Sequence, residues 1–217
     1  MKEIYDYKHV IFDCDGVILQ SNKIKTKAFE ETLKEESPEN ISKFITYHKN
    51  NGGISRFIKF EYFYKKIKKE KNYSKMAEMA IRCYAEIIQN KLINAKYVPG
   101  FIGIIKYLNK NKIPCYIISG GEQKELKHIF KMRGIYNCFN KILGSPTSKN
   151  NHLKNLISSN EINNSTILFG DSFLDMQAAL NNMIDFCYVY QFSEWKDGKI
   201  ISKKLGFSKI KNFNEIL

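Results

Sequence analysis

The spacing of hydrophobic positions changes twice along the chain. The run HVIF at residues 9–12 is short, largely apolar and followed by polar residues, which is typical of a buried strand. From residue 21 to about residue 97, apolar residues recur every three or four positions, a spacing that predicts helices and leaves no convincing strand. After Val98, apolar runs of strand length alternate with helical segments. This alternation predicts crossover connections and a parallel sheet with helices on both faces.

The second half of the chain defines the predicted core. Helices are expected at 101–111, 121–134, 149–159 and 171–182, and strands at 113–119, 139–144, 165–170 and 184–190. Together with the first strand they predict an α/β protein with a doubly wound parallel sheet of the Rossmann-like kind. We therefore predict two domains. Residues 1–20 and 98–217 form the α/β core, and residues 21–97 form an all-helical cap inserted into it.

Two carboxylates follow the first strand in the stretch HVIFDCDGVIL. Residues two apart in a strand point to the same side, so Asp13 and Asp15 are expected to emerge together where Gly16 lets the backbone turn. Two acids held this close share a proton, divide the roles of nucleophile and acid, or bind a cation. The stretch predicts a reactive or metal-binding site at this strand end.

Other polar residues also follow predicted strands, where open parallel sheets bind their ligands. The second strand ends in Ser119-Gly120-Gly121, which could cradle a phosphate with a hydroxyl and backbone N–H groups at a helix start, or could be an ordinary strand-to-helix turn. The strand at 139–144 leads toward Lys149, a positive charge for the same anion. Lys154 is the alternative, and Lys149 is preferred because it lies closer to the strand end.

The last polar pair is Asp171 and Asp175, which follow the strand STILFG. Their spacing places both on one face of the helix that begins there, where Asp171 could also be a helix cap and Asp175 a first-turn acid. With Asp13 and Asp15, they place four carboxylates around one crevice. Such a density of negative charge is costly unless a hard cation neutralises it, and oxygen ligands beside a phosphate suit Mg²⁺.

The series D-C-D-G-V, Ser119, Lys149 and G-D-S-x-x-D, each after a separate strand, resembles the haloacid dehalogenase superfamily over essentially the whole chain. That resemblance implies a phosphatase in which Asp13 is the nucleophile that becomes an aspartyl-phosphate and Asp15 is the general acid and base. It also implies that Ser119, Gly120 and Lys149 hold the phosphoryl group. Mg²⁺ is expected to bind Asp13, the backbone carbonyl of Asp15 and Asp171, with Asp175 in support.

The position of the helical insert, directly after the first motif, resembles the phosphoglycolate phosphatase-like and β-phosphoglucomutase-like branch. This implies a lid over a small phosphorylated metabolite, either a sugar phosphate or the phosphate of a small acid. The mutases of that branch usually carry a His twelve residues beyond the nucleophile, where this chain has Lys25. A sugar-phosphate mutase is therefore disfavoured and is kept as the alternative. Arg56 is the candidate for binding the rest of the substrate, and a role in helix pairing is the other interpretation.

The net charge of +13 raises the alternative of a nucleic-acid-binding protein without turnover. We disfavour it because only three of the 35 basic residues are arginines and no motif interleaves aromatic and basic residues. The five cysteines are scattered and form no C-x-x-C pair, so no disulfide or zinc framework is expected. The polar N-terminus and the lack of a long apolar window predict a cytoplasmic protein without a membrane span.

Overall fold

A parallel sheet lies at the centre of the fold. The computed structural model describes residues 4–216. Residues 1–3 and 217, the two ends of the predicted α/β core, lie outside the described residues. The strands are β1 (His9–Phe12), β2 (Cys115–Glu122), β3 (Lys141–Ser145), β4 (Thr166–Gly170), β5 (Asp185–Val189) and β6 (Ser208–Ile210). Their order is β3-β2-β1-β4-β5-β6, and every neighbouring pair is parallel. The predicted Rossmann-like sheet is confirmed.

Apolar side chains cover both faces of this sheet, which is why its strands read as continuous apolar runs. Phe12 in β1 points to one face, where its ring stacks on Phe169 of β4 at a centroid distance of 5.5 Å. The preceding residue, Ile11, points to the other face and joins a second cluster with Leu168. Phe12 pairs in register with Phe169, so the two central strands end at the same edge of the sheet. Side chains that follow them therefore meet at that edge.

The segment between β1 and β2 begins with four helices, as the sequence predicts. They are α1 (Asn22–Thr32), α2 (Pro38–Asn50), α3 (Arg56–Tyr62) and α4 (Tyr73–Ile93), and a π-helical turn, Phe63–Ile67, follows α3. Ser37 fixes the start of α2, because its side chain accepts a hydrogen bond from the Asn40 N–H at 3.3 Å and Pro38 follows as the first helical residue. The division of the chain into core and cap stays a prediction.

Two neighbouring stretches of backbone join the helical segment to the sheet. The N–H of Gln20 donates to the carbonyl of Lys96 at 2.9 Å, and the N–H of Val98 donates to the carbonyl of Ile18 at 2.9 Å. The entrance and the exit of the segment therefore lie side by side, next to the end of β1. This is the position from which a helical insert can cover the sheet edge.

In the described part of the chain, five α-helices follow this helical segment. They are α5 (Phe101–Lys110), α6 (Gln123–Met132), α7 (Lys149–Ser158), α8 (Phe173–Asn181) and α9 (Gly198–Lys204). The first four match the predicted helices, whereas α9 and the short strand β6 were not predicted. Within the described residues, no helix combines the length and the apolar character needed to cross a membrane.

Candidate active site

The loop after β1 positions the first acid. Gly16 has a φ of +75°, a conformation that side chains rarely adopt, and its N–H donates to the carbonyl of Leu19 at 2.8 Å. A Cβ at this position would collide with the carboxylate of Asp171 and with the amide of Asn22. The glycine therefore lets the loop after Asp13 turn tightly against the strand end that carries Asp171.

Three of the four predicted carboxylates meet at the sheet edge. One oxygen each of Asp13, Asp171 and Asp175 lies within 4.8 Å of the others, and all three side chains are buried. Lys149, at the start of α7, places its Nζ 2.8 Å from Asp13 Oδ1 and 2.5 Å from Asp175 Oδ1. Lys154 is exposed to solvent. The geometry favours Lys149 as the lysine of the site.

The same cluster is electrostatically costly, and this supports a cation. The pKa of Asp13 is raised to about 7, chiefly by burial; Lys149 lowers it, and the charges of Asp175 and Asp15 add to the rise. Burial and the charges of Asp13 and Asp175 also raise the pKa of Asp171 well above its ordinary range. Among the described residues, buried Asp13 Oδ1 has no hydrogen-bond partner, although it forms an ion pair with Lys149. These oxygens fit a hard divalent cation such as Mg²⁺.

Asp171 and Asp175 differ in how far their oxygens are already occupied. Asp175 Oδ2 accepts from the N–H and the hydroxyl of Ser172 at 3.1 and 2.6 Å, while its Oδ1 faces Lys149. Asp171 Oδ2 accepts from the Asn22 amide at 2.6 Å. Ser172, and not Asp171, is the N-cap of α8, so the alternative interpretation of Asp171 as a helix cap is wrong. Asp171 is the more available ligand of the two.

Asp15 stands apart from the cluster of three. Its Oδ1 accepts from the Ser21 hydroxyl at 2.6 Å, and its Oδ2 forms an ion pair with Lys25. Burial alone would raise the pKa of Asp15, but Lys25 and Ser21 outweigh it and hold the pKa below its ordinary value. Asp15 is therefore held as a carboxylate beside Asp13. The assignment of its backbone carbonyl to a metal stays a prediction.

The C-terminal end of β2 approaches the site closely. Ser119, Gly120 and Gly121 lie within this strand and α6 begins at Gln123, so the predicted position of these residues at a helix start is wrong. Ser119 is fully buried, and its hydroxyl accepts from the N–H of Gly121 at 3.2 Å. Gly120 lines the cleft, and a Cβ there would collide with the backbone carbonyl of Gly53 from the helical segment. Only a glycine allows these two backbones to approach so closely. Phosphate binding by Ser119 and Gly120 stays a prediction.

The helical segment closes over this sheet edge and leaves a cleft. The cleft has about 840 Å³ of empty volume, part of it open to solvent, and Asp13, Asp15 and Asp171 lie among its lining residues. Arg56 also lines it, but its Nη1 forms an ion pair with Glu125 Oε2 of α6 at 2.5 Å. The structure therefore shows the alternative role of Arg56, the pairing of two helices. A contact of Arg56 with the substrate stays a prediction.

Sequence reasoning missed several residues of the site. Asn22 contacts Asp171, and Lys25 contacts Asp15. Their position in the first turns of a charged helix does not indicate these contacts. His48 and Lys59 lie in a helical segment with many exposed lysines, but both are buried in the wall of the cleft. Of these four residues, only Lys25 has a signal in the sequence, its position twelve residues after Asp13.

Comparison with known proteins places this geometry in a family. Residues 10–189 match the model of the haloacid dehalogenase-like hydrolases, which spans most of the chain and all four motifs. No curated protein sequence gives a significant match.

Solved structures share the fold along nearly the full length. A protein described as a predicted phosphoglycolate phosphatase from Haemophilus somnus aligns with a TM-score of 0.76 and 17% identity, covering 98% of this chain and 97% of that one. A predicted phosphatase from Clostridium acetobutylicum has a TM-score of 0.73, 19% identity and coverages of 97% and 96%. A hydrolase from Pseudomonas syringae has a TM-score of 0.73, 16% identity and coverages of 96% and 95%. At these identities the likeness shows a common fold.

Proposed function

The chain belongs to the haloacid dehalogenase-like hydrolases, and from that premise we propose that it is a Mg²⁺-dependent phosphatase of small phosphorylated metabolites. The observation that carries the proposal is the meeting of Asp13, Asp171 and Asp175 within 4.8 Å of one another, with Lys149 against two of them. A phosphoryl group needs positive charge, oxygen ligands for a cation and a nearby nucleophile, and this cluster can supply all three.

In the first proposed half-reaction, a carboxylate oxygen of Asp13 attacks phosphorus and the bond to the leaving oxygen breaks. An aspartyl-phosphate forms, and a proton from Asp15 goes to the leaving alkoxide. This step needs protonated Asp15, and the negative charge of an arriving phosphate raises the pKa of that acid against the effect of Lys25. Lys149 offsets negative charge beside Asp13, and the Ser119 hydroxyl and the Gly120 N–H are proposed to orient the phosphoryl oxygens.

In the second half-reaction, Asp15 accepts a proton from a water molecule that attacks the aspartyl-phosphate. Inorganic phosphate leaves and the Asp13 carboxylate is regenerated. The ionised form of Asp15 that Ser21 and Lys25 stabilise is the form this step requires. When bound by Asp13 and Asp171, Mg²⁺ would supply charge neutralisation for the phosphoryl group.

The closed helical segment supports a small leaving group. Gly53 contacts Gly120, and Arg56 pairs with Glu125, so two contacts between the helical segment and the α/β part border the cleft. We expect kcat/KM for sugar phosphates or phosphoglycolate to exceed that for a phosphopeptide and a 5′-phosphorylated oligonucleotide by ~100-fold or more, because the larger substrates require the segment to open. Steady-state kinetics with Mg²⁺ on this panel would test the function and the size limit together.

The same panel separates the alternatives. Preference for the oligonucleotide would contradict the size argument and favour a role of the +13 charge in recruitment. Conversion of a hexose 1-phosphate to the 6-phosphate, instead of release of phosphate, would favour the mutase. Lack of Mg²⁺-dependent turnover on every substrate would contradict the proposed function. The cytoplasmic location stays a prediction from the sequence.

The choice between two lysines gives a matched test of the site. We expect Lys149→Met to lower kcat by ~10²-fold, because it removes the positive charge between Asp13 and Asp175. Lys154→Met, five residues along the same chain segment and exposed, should keep wild-type kcat. Assays of both variants after checking their folds by circular dichroism would decide. Equal activities of the two variants would remove Lys149 from the site.

A further inference from the structure

A buried lysine without a negatively charged partner lines the wall of the cleft. Lys59 of α3 is only 3% exposed, yet it lines the same cleft as Asp13. Among the residues that the structure describes, no carboxylate forms an ion pair with it. Two other cationic side chains of the cleft are largely buried, and both form ion pairs. Lys25 pairs with Asp15, and Arg56 pairs with Glu125.

The neutral side chains of His48 and Thr26 link this lysine by hydrogen bonds to the more distant carboxylate of Glu194. Lys59 Nζ lies 2.8 Å from His48 Nδ1, His48 Nε2 lies 3.0 Å from Thr26 Oγ1, and the Thr26 hydroxyl donates to Glu194 Oε2 at 3.4 Å. Because an ammonium can only donate, Nδ1 of His48 accepts, and Nε2 therefore carries the hydrogen and donates to Thr26. These hydrogen bonds orient Lys59 from helices α1 and α2 without placing a negative charge against it.

The electrostatics agree with this arrangement. Burial lowers the pKa of His48 to about 2, with the charge of Lys59 as the next cause, so the imidazole is neutral. Burial and the charge of Lys25 lower the pKa of Lys59 to about 7, although Asp15 and Glu194 oppose them. A buried ammonium without a counter-ion is costly for the fold. An anion that enters the cleft would remove that cost.

The ammonium also has hydrogen-bonding capacity left. It carries three donors, and its contacts with His48, at Nδ1 and at the backbone carbonyl 3.5 Å away, use at most two of them. The phosphoryl group that reacts must touch Asp13 at the edge of the sheet. A group that reaches Lys59 on the helical wall therefore belongs to the remainder of the substrate, the leaving alcohol.

We propose that Lys59 binds an anionic group on the leaving alcohol, so that the preferred substrates are phosphomonoesters of alcohols that carry a carboxylate or a second phosphate. This inference rests on the proposed phosphatase function and narrows its substrate class. Lys59 acts as a specificity-determining residue. The hydrogen bonds that run from it through His48 and Thr26 to Glu194 hold its side chain in position.

The test compares substrates that differ only in that anion. Phosphoglycolate is paired with 2-hydroxyethyl phosphate, which replaces the carboxylate with a hydroxymethyl group, and a hexose 1,6-bisphosphate is paired with the hexose 6-phosphate. In the wild type, at least one acidic member should exceed its neutral partner in kcat/KM by ~10- to 100-fold, the value of one hydrogen bond to a charged group. The pair that shows the preference identifies carboxylate or phosphate as the anion.

Two variants then assign the preference to a residue. Lys59→Met should reduce the acid-to-neutral ratio at least ~10-fold, because it keeps the length of the side chain and removes its charge. Lys66→Met, at an exposed lysine of the helical segment that does not line the cleft, should leave the ratio unchanged. An unchanged ratio in Lys59→Met would overturn the inference.

The wild-type comparison is decisive even if Lys59→Met does not fold. If kcat/KM for the neutral substrates equals that for both acidic ones, the role of Lys59 is overturned while the phosphatase proposal stays intact. Absence of Mg²⁺-dependent turnover of every substrate, neutral and acidic, would overturn the phosphatase proposal and this inference with it.

Discussion

The Asp13→Asn variant should lose phosphatase activity by on the order of 10³-fold or more in kcat, because an amide cannot form the acyl-phosphate with the substrate. The change is nearly isosteric and leaves Lys149 its second partner, Asp175, at 2.5 Å. We therefore expect the fold to persist. Steady-state kinetics and thermal unfolding of the same preparations would measure both effects.

The same substitution should also stabilise the protein in chelator at neutral and alkaline pH. Burial, with the charges of Asp175 and Asp15, raises the pKa of Asp13 to about 7, above the value of about 3.9 for an unfolded aspartate. Between these values the folded state binds a proton that the unfolded state has lost, so the wild type loses stability as pH rises toward 7. Asparagine does not titrate. The Tm of the variant minus that of the wild type should therefore grow from pH 4 to pH 8.

Asp197→Asn is the matched control for these two expectations. Asp197 is exposed before α9, and its side chain makes no capping hydrogen bond, so its replacement should change neither kcat nor the dependence of Tm on pH. Asp13→Asn enzyme that retains a tenth of wild-type turnover would exclude Asp13 as the nucleophile. A Tm difference that shrinks with rising pH would contradict the raised pKa.

The residues at the edge of the sheet were predictable because their motifs follow apolar runs of strand length. Asp13, Ser119 and Asp171 come directly after apolar runs, and the carboxyl ends of parallel strands meet at one edge whatever the details of packing. The start of α8 was predictable for a similar local reason, since the G-D-S-x-x-D stretch contains both residues of its capping box, Ser172 and Asp175.

The wall of the cleft was not predictable from local pattern. The pairing of Arg56 with Glu125 joins residues 69 positions apart, and no spacing rule connects them. Lys59 reads as one more lysine in the basic stretch FIKFEYFYKKIKK, and only the packing of α1, α2 and α3 shows that it is buried. The substrate-binding face is therefore a tertiary property, whereas the reacting edge follows from strand order.

The unequal surroundings of Asp171 and Asp175 lead to the last prediction, which concerns Mg²⁺. Both carboxylate oxygens of Asp175 already contact Ser172 or Lys149, whereas the carboxylate of Asp171 contacts only the Asn22 amide among the described side chains. Burial and the nearby charges of Asp13 and Asp175 raise the pKa of Asp171. A cation at the cluster removes that repulsion and binds the folded state only. Mg²⁺ at about 100 times its Kd should therefore raise Tm by roughly 5–10 °C.

Removal of the metal should lower kcat by ~10³-fold or more, because the phosphate would then approach buried carboxylates without a cation. Asp171→Ala should abolish most of the Mg²⁺-dependent rise in Tm, measured by calorimetry with Mg²⁺ or with EDTA. Asp175→Ala should retain more of the rise but start from a lower Tm, because Lys149 and Ser172 lose a buried partner. Full activity in EDTA would contradict the metal site, and an equal loss of the Mg²⁺ response in both variants would contradict the different roles of the two acids.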